Sequence, residues 1–327
     1  MRAVVLVGGV GTRLRPLTLT TPKQMLPVGG RPMIERVLEH LARHGVDEVV
    51  LSLGYRPDAF IDAYPDGKCA GVKVTYAVED EPLDTAGAIR FAALQAAIDD
   101  TFVAVNGDVL TALDVDALVA FHRDHEAEAT IALTPVDDPS AFGVVPTDGD
   151  GRVVAFIEKP PRHEAPTNFI NAGTYVLEPT ILDRIPGGRR VSIEGETFPA
   201  LVRDGRLYAL MSKADWVDAG TPATFLAANL RYANGRTGCA GSQVAAGATV
   251  ANSVLGAGVT IGDGAVVEGS VCFDGVRIAP GSEVRSSIVG RDARIETGAV
   301  VTDLSLVGDG AVVPAGARLS AARVPAT

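Results

Sequence analysis

With 327 residues, 47% of them hydrophobic, and a formal net charge of −11, the chain is long enough for two domains with a sizeable core and too acidic for general nucleic-acid binding, which calls for a basic face. Its three cysteines, Cys69, Cys239 and Cys272, form no C-x-x-C pair, which argues against a disulfide framework and a zinc site and fits a reducing cytoplasm. The N-terminus lacks the ordered basic and apolar regions of a signal peptide, and no apolar run approaches the ~20 residues that span a bilayer, so no membrane partner is expected.

The first element is the apolar run Val4–Val7, a short buried strand with no polar face, as in a parallel sheet. Gly8-Gly9-Val10-Gly11-Thr12-Arg13-Leu14 follows at once, then Arg15-Pro16-Leu17-Thr18 and Thr21-Pro22-Lys23-Gln24-Met25-Leu26-Pro27. Glycines after a strand let backbone N–H groups approach a phosphate chain, and Arg13, Arg15 and Lys23 surround the loop with positive charge. The stretch reads as an anion cradle for a nucleoside triphosphate. It lacks the third glycine of a dinucleotide fingerprint, and no Gly-Lys-Ser/Thr of a Walker loop occurs in the chain.

Arg31 to Gly45 has helical apolar spacing with Gly45 as a stop. Val46 to Leu53 and Val72 to Val78 read as strands, Thr85 to Ile98 as a helix, Phe102 to Val105 as a strand, and Asp114 to His125 as a helix capped by Asp114. This alternation predicts an α/β fold with a Rossmann-like, mostly parallel sheet and helices on both faces. Its ligands should gather at the carboxyl ends of the strands. Ala129–Pro135, Gly143–Pro146, Val153–Ile157 and Phe169–Leu177 read as further strands, Glu194–Val202 and Thr221–Tyr232 as helices.

After Tyr232 only Phe273 is aromatic. Ser253, Ser270, Ser287 and Ser305 recur at spacings of 17, 17 and 18 residues, each heading a pair of apolar residues. In step run Val244, Ile261, Ile278, Ile295 and Val313, then Val250, Val267, Val284, Val301 and Leu319, with Gly247, Gly264, Gly281, Gly298 and Gly316 at one corner. Three aliphatic rows per turn describe a triangular solenoid. The tail resembles the hexapeptide-repeat left-handed parallel β-helix. The expected domains are 1–235 and 241–327.

The pattern G-G-x-G-T-R-L-x-P-L-T followed by P-K-x-x-L-P is similar to the signature of the sugar-1-phosphate nucleotidylyltransferases. The resemblance covers about residues 1–232. It implies that a sugar 1-phosphate attacks the α-phosphorus of a nucleoside triphosphate and pyrophosphate leaves. By that resemblance Leu6, Gly8, Gly9, Gly11, Thr12, Arg13, Glu79, Thr85 and Gly87 bind the nucleotide. Arg13, Lys23 and Asp108 act in catalysis, and Asp108 and Asp218 hold Mg²⁺, which carboxylates suit. Asn106-Gly107-Asp108 matches the family's metal aspartate, and Trp216-Val217-Asp218-Ala219-Gly220-Thr221 its second metal motif; Asp218 could instead cap a helix starting near Thr221. Glu158-Lys159-Pro160 resembles the family's E-K-P, with Gly143 and Asn171 among its other sugar-phosphate contacts.

Within the family the chain is most similar to the mannose-1-phosphate guanylyltransferase branch. Glu79 stands where thymidylyltransferases carry glutamine, and a carboxylate can accept from two guanine N–H donors. Lys23-Gln24 resembles the thymidylyl branch, and Asp84 replaces a usual glycine, with its side chain an alternative reader of the base that would leave Glu79 to cap a turn. GTP and mannose 1-phosphate, or a similar sugar, are the expected substrates. A thymidylyltransferase using dTTP and a non-catalytic sensor of nucleotide sugars are the alternatives. A hexapeptide acyltransferase is disfavoured because all five histidines precede the solenoid. The solenoid's exposed edges and flat faces predict a homo-oligomer.

Overall fold

The computed structural model describes residues 1–233, 238 and 241–325. Cys239 and the expected domain ends at 235 and 327 lie outside these residues. The chain packs as two compact units: Met1–Gly8 with Ile34–Trp216, and Gly9–Met33 with Val217–Thr327. The cradle and the helix before the solenoid pack with the solenoid.

The first unit is built on a 10-stranded mixed sheet. Its centre is β1 (Arg2–Leu6), flanked in parallel by β2 (Glu48–Leu53) and β4 (Phe102–Asn106), with β3 (Val72–Val78) parallel to β2. The order β3-β2-β1-β4 makes β1 the point where chain direction of travel reverses. Beyond β4 the sheet turns antiparallel through β8 (Phe169–Leu177), which pairs with β4, with β5 (Ala129–Pro135) and with β6 (Gly143–Val144). β7 (Ile157–Glu158) pairs with β6, and β9 (Leu207–Met211), which has no strong alternation in sequence, lies parallel to β5.

Helices cover the sheet where the spacing predicts them. α1 (Met33–Arg43) presents Ile34, Val37, Leu38 and Leu41 inward, and Gly45 turns the chain out at φ 73°. α2 (Asp84–Gln95) buries Ala86, Ile89, Ala92 and Ala93. α3 (Val115–Asp124) is capped by Asp114, whose carboxylate accepts from the Ala117 N–H at 2.9 Å. The core between them includes Val4, Val50, Ala104, Ile131, Tyr175, Phe198 and Leu207.

Two expectations are corrected here. Val153–Ile157 is no continuous strand: Val153 makes an isolated bridge to Thr147, and only Ile157–Glu158 joins the sheet. Residue 154 faces outward at 53% exposure, so the run has no second buried row to hold it flat. Glu194–Val202 is no single α-helix. Ile193–Thr197 is a π turn capped by Ser192, and α4 (Phe198–Arg203) restarts with Pro199 in its first turn, where a missing N–H costs nothing.

α1 also carries a pH-sensitive group. Burial, then the nearby charges of His44 and Arg43, lower the His40 imidazole from its usual 6.5 to about 4. The unfolded chain protonates His40 near 6.5. Stability from keeping it neutral is therefore complete above that pH and is lost as pH falls toward 4. Thermal melts are expected to show a lower Tm at about pH 5 than at pH 7, with a smaller drop in His40→Phe. Equal drops in the two proteins would assign the acid sensitivity elsewhere.

The second unit is a three-faced parallel β-helix with one helix and the Gly9–Met33 segment packed on it. Each face is a five-stranded parallel sheet, running from Gln243–Val244 to Val312–Val313, from Thr249–Ala251 to Arg318–Ser320, and from Val254–Leu255 to Arg323–Val324. The aliphatic rows read from the sequence point inward, with Val259, Val276, Ala293 and Ala265 filling between them. The serine column ties coil to coil: the N–H of Ser270 donates to Ser253 Oγ and that of Ser287 to Ser270 Oγ, both at 3.1 Å. Corner glycines Gly264, Gly281, Gly298 and Gly316 have φ of 66–69°, where a side chain would be strained.

The third face is buried on both sides. Val254, Val271, Ile288 and Leu306 point out from the helix yet are at most 7% exposed. α5 (Pro222–Tyr232) packs on the Val271–Cys272 strand of this face, and its Phe225 meets Phe273 ring to edge at 6.4 Å. Each such aliphatic contributes roughly 1.5–3 kcal/mol of burial. Thr221 begins α5 with a capping box to Thr224, so the cap role considered for Asp218 belongs to Thr221.

Candidate active site

In the first unit the carboxyl ends of β1, β2, β3 and β4 bring the predicted residues to one edge. Gly8 follows β1 and touches Gly54 after β2: a Cβ on Gly54 would lie 3.2 Å from the Gly8 carbonyl oxygen. Gly107 follows β4 and donates to the Leu6 carbonyl at 2.9 Å. A Cβ there would meet that oxygen at 2.8 Å and Val7 Cγ1 at 2.6 Å. Only glycine lets the backbone pass so close to β1, and the passage delivers the Asp108 carboxylate beside the end of the central strand.

Glu79 follows β3, but its carboxylate is already engaged. Oε1 accepts from Ser52 Oγ at 2.9 Å and Oε2 from the Leu83 N–H at 2.9 Å. The side chain caps the 79–83 turn, the second of the two roles weighed for it. Asp84 sits at φ 61° and its Oδ1 accepts from the Thr85 N–H at 2.8 Å. Glycine adopts such a left-handed backbone most readily, and aspartate tolerates it better than most residues. Thr85 Oγ1 donates to Glu194 Oε2 at 2.9 Å and accepts from the Ile193 N–H at 2.8 Å. Gly87 gives its N–H to the Val191 carbonyl, and a Cβ there would stand 3.4 Å from the Arg189 carbonyl oxygen. Thr85 and Gly87 thus fasten α2 to the 189–193 segment.

The predicted sugar residues cluster on β6, β7 and β8. Gly143 pairs with Glu158, and a Cβ on it would strike the Phe156 ring at 2.6 Å and stand 3.2 Å from Glu158 Oε2. Lys159, at φ 47°, forms an ion pair with Glu158 and donates its N–H to the Phe142 carbonyl. Asn171 opens a bulge in β8: its Oδ1 accepts from the Gly173 N–H and its Nδ2 donates to the Tyr175 hydroxyl, each at 3.0 Å. Gly173, at φ 71°, leaves room for the Asn106 amide, which would be 2.7 Å from a Cβ.

Glu194 is a residue that sequence reasoning missed. It is mostly buried, and desolvation, with the nearby Glu158 charge, raises its pKa despite bonds from Thr85 and Ser192. The Tyr175 phenol, fully buried, is pushed up by desolvation and by the charges of Glu194, Asp108 and Glu158. The phenol oxygen accepts from Asn171 Nδ2 at 3.0 Å. A carboxylate kept in so dry a place is a functional-site signal, but locally Ser-Ile-Glu-Gly-Glu reads only as a helix start.

In the second unit the cradle is one 3-10 turn, Thr12–Leu14, entered through Gly11 at φ 65°. A Cβ on Gly11 would press on Lys23 Cβ and Thr18 Cγ2, each at 3.1 Å, so the glycine also lets the Lys23 segment close against the turn. Gly9 is exposed and crowded by nothing within 4 Å. Lys23 is 7% exposed. Arg13 and Asp218 converge on Gly220: a Cβ there would be 2.6 Å from Arg13 Nη2 and 2.7 Å from Asp218 Oδ1. Asp108 and Asp218 supply hard carboxylate oxygens, the donor type Mg²⁺ takes, so these side chains fit that ion chemically.

Residues 2–235 match the nucleotidyl transferase family and residues 240–326 the GMPPB C-terminal domain. The chain belongs to the nucleotidyl transferase family. It is 47% identical over 226 residues to the mannose-1-phosphate guanylyltransferase of Mycobacterium tuberculosis, across 68% of this chain and 62% of that protein. The matched part thus spans less than two-thirds of that relative's own length. Among solved structures, HddC from Yersinia pseudotuberculosis complexed with GMP-PN superposes with a TM-score of 0.61 at 32% identity, covering 71% of this chain and 99% of that one. A putative glucose-1-phosphate thymidylyltransferase from Bacillus anthracis, in complex with a sucrose, gives 0.65 at 26% identity, over 72% and 96%.

Proposed function

We propose that the chain is a sugar-1-phosphate guanylyltransferase, joining GTP to mannose 1-phosphate to give GDP-mannose and pyrophosphate. A phosphate oxygen of the sugar 1-phosphate bonds to the α-phosphorus of GTP, and the bond from that phosphorus to the α,β-bridging oxygen breaks. No general base is needed, since the nucleophile is already an anion. Catalysis then reduces to positioning and charge stabilisation. The observation that carries the reading is the signature turn, with Arg13 and Asp218 packed together on Gly220.

Arg13 and Lys23 stabilise charge on the phosphates as it shifts toward the leaving pyrophosphate. Asp108 and Asp218 would hold Mg²⁺, which would supply positive charge to neutralise the phosphates. Gly8, Gly9, Gly11 and Thr12 line the phosphates, with Leu6 beside the base. Gly143, Glu158, Lys159 and Asn171 take the sugar phosphate, Lys159 pairing with its phosphate and Glu158 with a hydroxyl. Glu194 supports that pocket by holding Thr85 and Ser192.

The guanine preference rests on the relative from M. tuberculosis and on the GMP-PN complex of HddC, because Glu79 is committed to its turn. Glu79→Gln can keep both contacts, its Oε1 accepting from the Leu83 N–H and its Nε2 donating to Ser52 Oγ, whose own proton can turn to the Ala88 carbonyl at 3.4 Å. The expected result is kcat/KM for GTP and dTTP within about threefold of wild type, with their ratio little changed. A ratio that swings toward dTTP would make Glu79 the reader of the base. Turnover across GTP, dTTP, UTP and ATP with several sugar 1-phosphates tests the substrate assignment, and preference for dTTP with glucose 1-phosphate would replace it.

Two further parts belong to this proposal. The protein works in the cytoplasm; among the described residues no helix is long and apolar enough to cross a membrane. It assembles as a homo-oligomer through the β-helix, and light scattering that finds an intact monomer at micromolar concentration would contradict this.

A further inference from the structure

The last coil of the β-helix reaches the signature turn. Arg323 donates from Nη2 to the Arg13 carbonyl at 2.9 Å and from Nη1 to the Arg15 carbonyl. One guanidinium thus holds the two carbonyls that flank Leu14, whose side chain is fully buried. Neighbouring coils hold the residues that follow. Thr20 Oγ1 donates to Asp309 Oδ2 at 2.7 Å, and Arg291 Nη1 donates to Thr21 Oγ1 at 3.2 Å. Asp309 is itself fixed, its Oδ1 accepting from the Arg291 N–H at 2.8 Å. Gly308 closes the contact: a Cβ on it would stand 3.1 Å from Pro16.

The turn has little to hold it by itself. Its own backbone bonds are Leu14 N–H to Gly11 O and Arg15 N–H to Thr12 O, and Thr12 and Arg13 are exposed. A three-residue 3-10 turn has poor hydrogen-bond geometry and little cooperativity. A planar fork bonded to two carbonyls fixes orientation in a way a point charge cannot. Arg323 also brings a cation under a loop already carrying Arg13, Arg15 and Lys23, in a chain of net charge −11.

We propose that Arg323 is a positioning residue for nucleotidyl transfer, fixing the Thr12–Leu14 turn so that the Arg13 guanidinium stays against Gly220. This rests on the function proposed above. It makes the terminal coil part of the catalytic apparatus, and gives any molecule that binds that coil a direct route to the cradle.

The test uses the full chain with Arg323→Ala and Arg323→Lys. Arg323→Ala is expected to lower kcat about 10- to 100-fold, as a displaced catalytic group does, and to change KM for the triphosphate less than about threefold. Arg323→Lys keeps the charge and loses the fork, so its kcat should fall between the two. Independently of activity, hydrogen exchange of the Gly9–Leu19 amides should quicken about tenfold in Arg323→Ala, while amides at Val284 and Val301 keep wild-type protection and report an intact solenoid. Unchanged kcat in Arg323→Ala, full activity in Arg323→Lys, or unchanged exchange at Gly9–Leu19 would overturn the proposal. A wild-type protein with no nucleotidyl transfer would refute the functional reading instead, and the exchange result would still decide whether Arg323 holds the turn.

Discussion

Asp108→Asn is expected to lower turnover about 10²- to 10³-fold while leaving the fold intact. Asparagine has the same shape, and the Gly107 passage under the Leu6 carbonyl depends on backbone alone, so strand β4 should end as it does now. What changes is one negative charge at the place where the proposed ion would be held. The loss should appear in kcat at saturating substrates, with Tm within a few degrees of wild type. The same variant should bind the magnesium-free triphosphate about as well as wild type does. Near-normal kcat at limiting Mg²⁺ would remove Asp108 from the reaction.

Gly220→Ala should separate activity from stability in a different way. The added Cβ would lie 2.6 Å from Arg13 Nη2 and 2.7 Å from Asp218 Oδ1. Both are ends of side chains, which can swing aside, so the cost in folding should stay near 1 kcal/mol. Both are also the groups assigned to phosphate and metal, and a displacement of about 1 Å at such groups costs about 10² in rate. Thermal melts beside steady-state kinetics check this. A melt that collapses with the activity would make Gly220 a folding residue, and unchanged kinetics would show that the two side chains need not be where they lie.

The solenoid was legible because one register repeats five times, and periodic rows of Val and Ile leave only one way to face inward. Its corner glycines and serine column follow the same count. The parallel half of the sheet was legible for a related reason: β1, β2 and β4 are mostly apolar, with the adjacent residues Val4-Val5, Val49-Val50-Leu51 and Val103-Ala104 buried on both faces as a doubly covered sheet requires. What the residues could not show was which segments meet across hundreds of positions. Nothing near Arg323 announces that its guanidinium reaches Arg13 and Arg15. That reach is one of the contacts that pack Gly9–Met33 with the solenoid. β9 was missed because Leu207–Met211 is held by its parallel partner β5 and carries no pattern of its own.

The site was legible where backbone geometry demands glycine and less so where side chains serve one another. Gly11 and Gly107 are readable from their places beside a strand end. Glu79 and Thr85 were read as nucleotide ligands, and the partners that orient their polar atoms, Ser52, Leu83, Ile193 and Glu194, are not written in the sequence around them. Glu194 itself was passed over because it is bonded by Thr85, which lies 109 residues away in the chain.

The most direct test is phosphorus NMR of the full-length protein with GTP, mannose 1-phosphate and Mg²⁺. Attack at the α-phosphorus requires GDP-mannose and pyrophosphate to appear in equal amounts, and neither to form when the sugar phosphate is omitted. Release of inorganic phosphate with GDP, which marks cleavage at the γ-phosphorus, would contradict nucleotidyl transfer, as would the absence of pyrophosphate with every nucleoside triphosphate and sugar 1-phosphate offered.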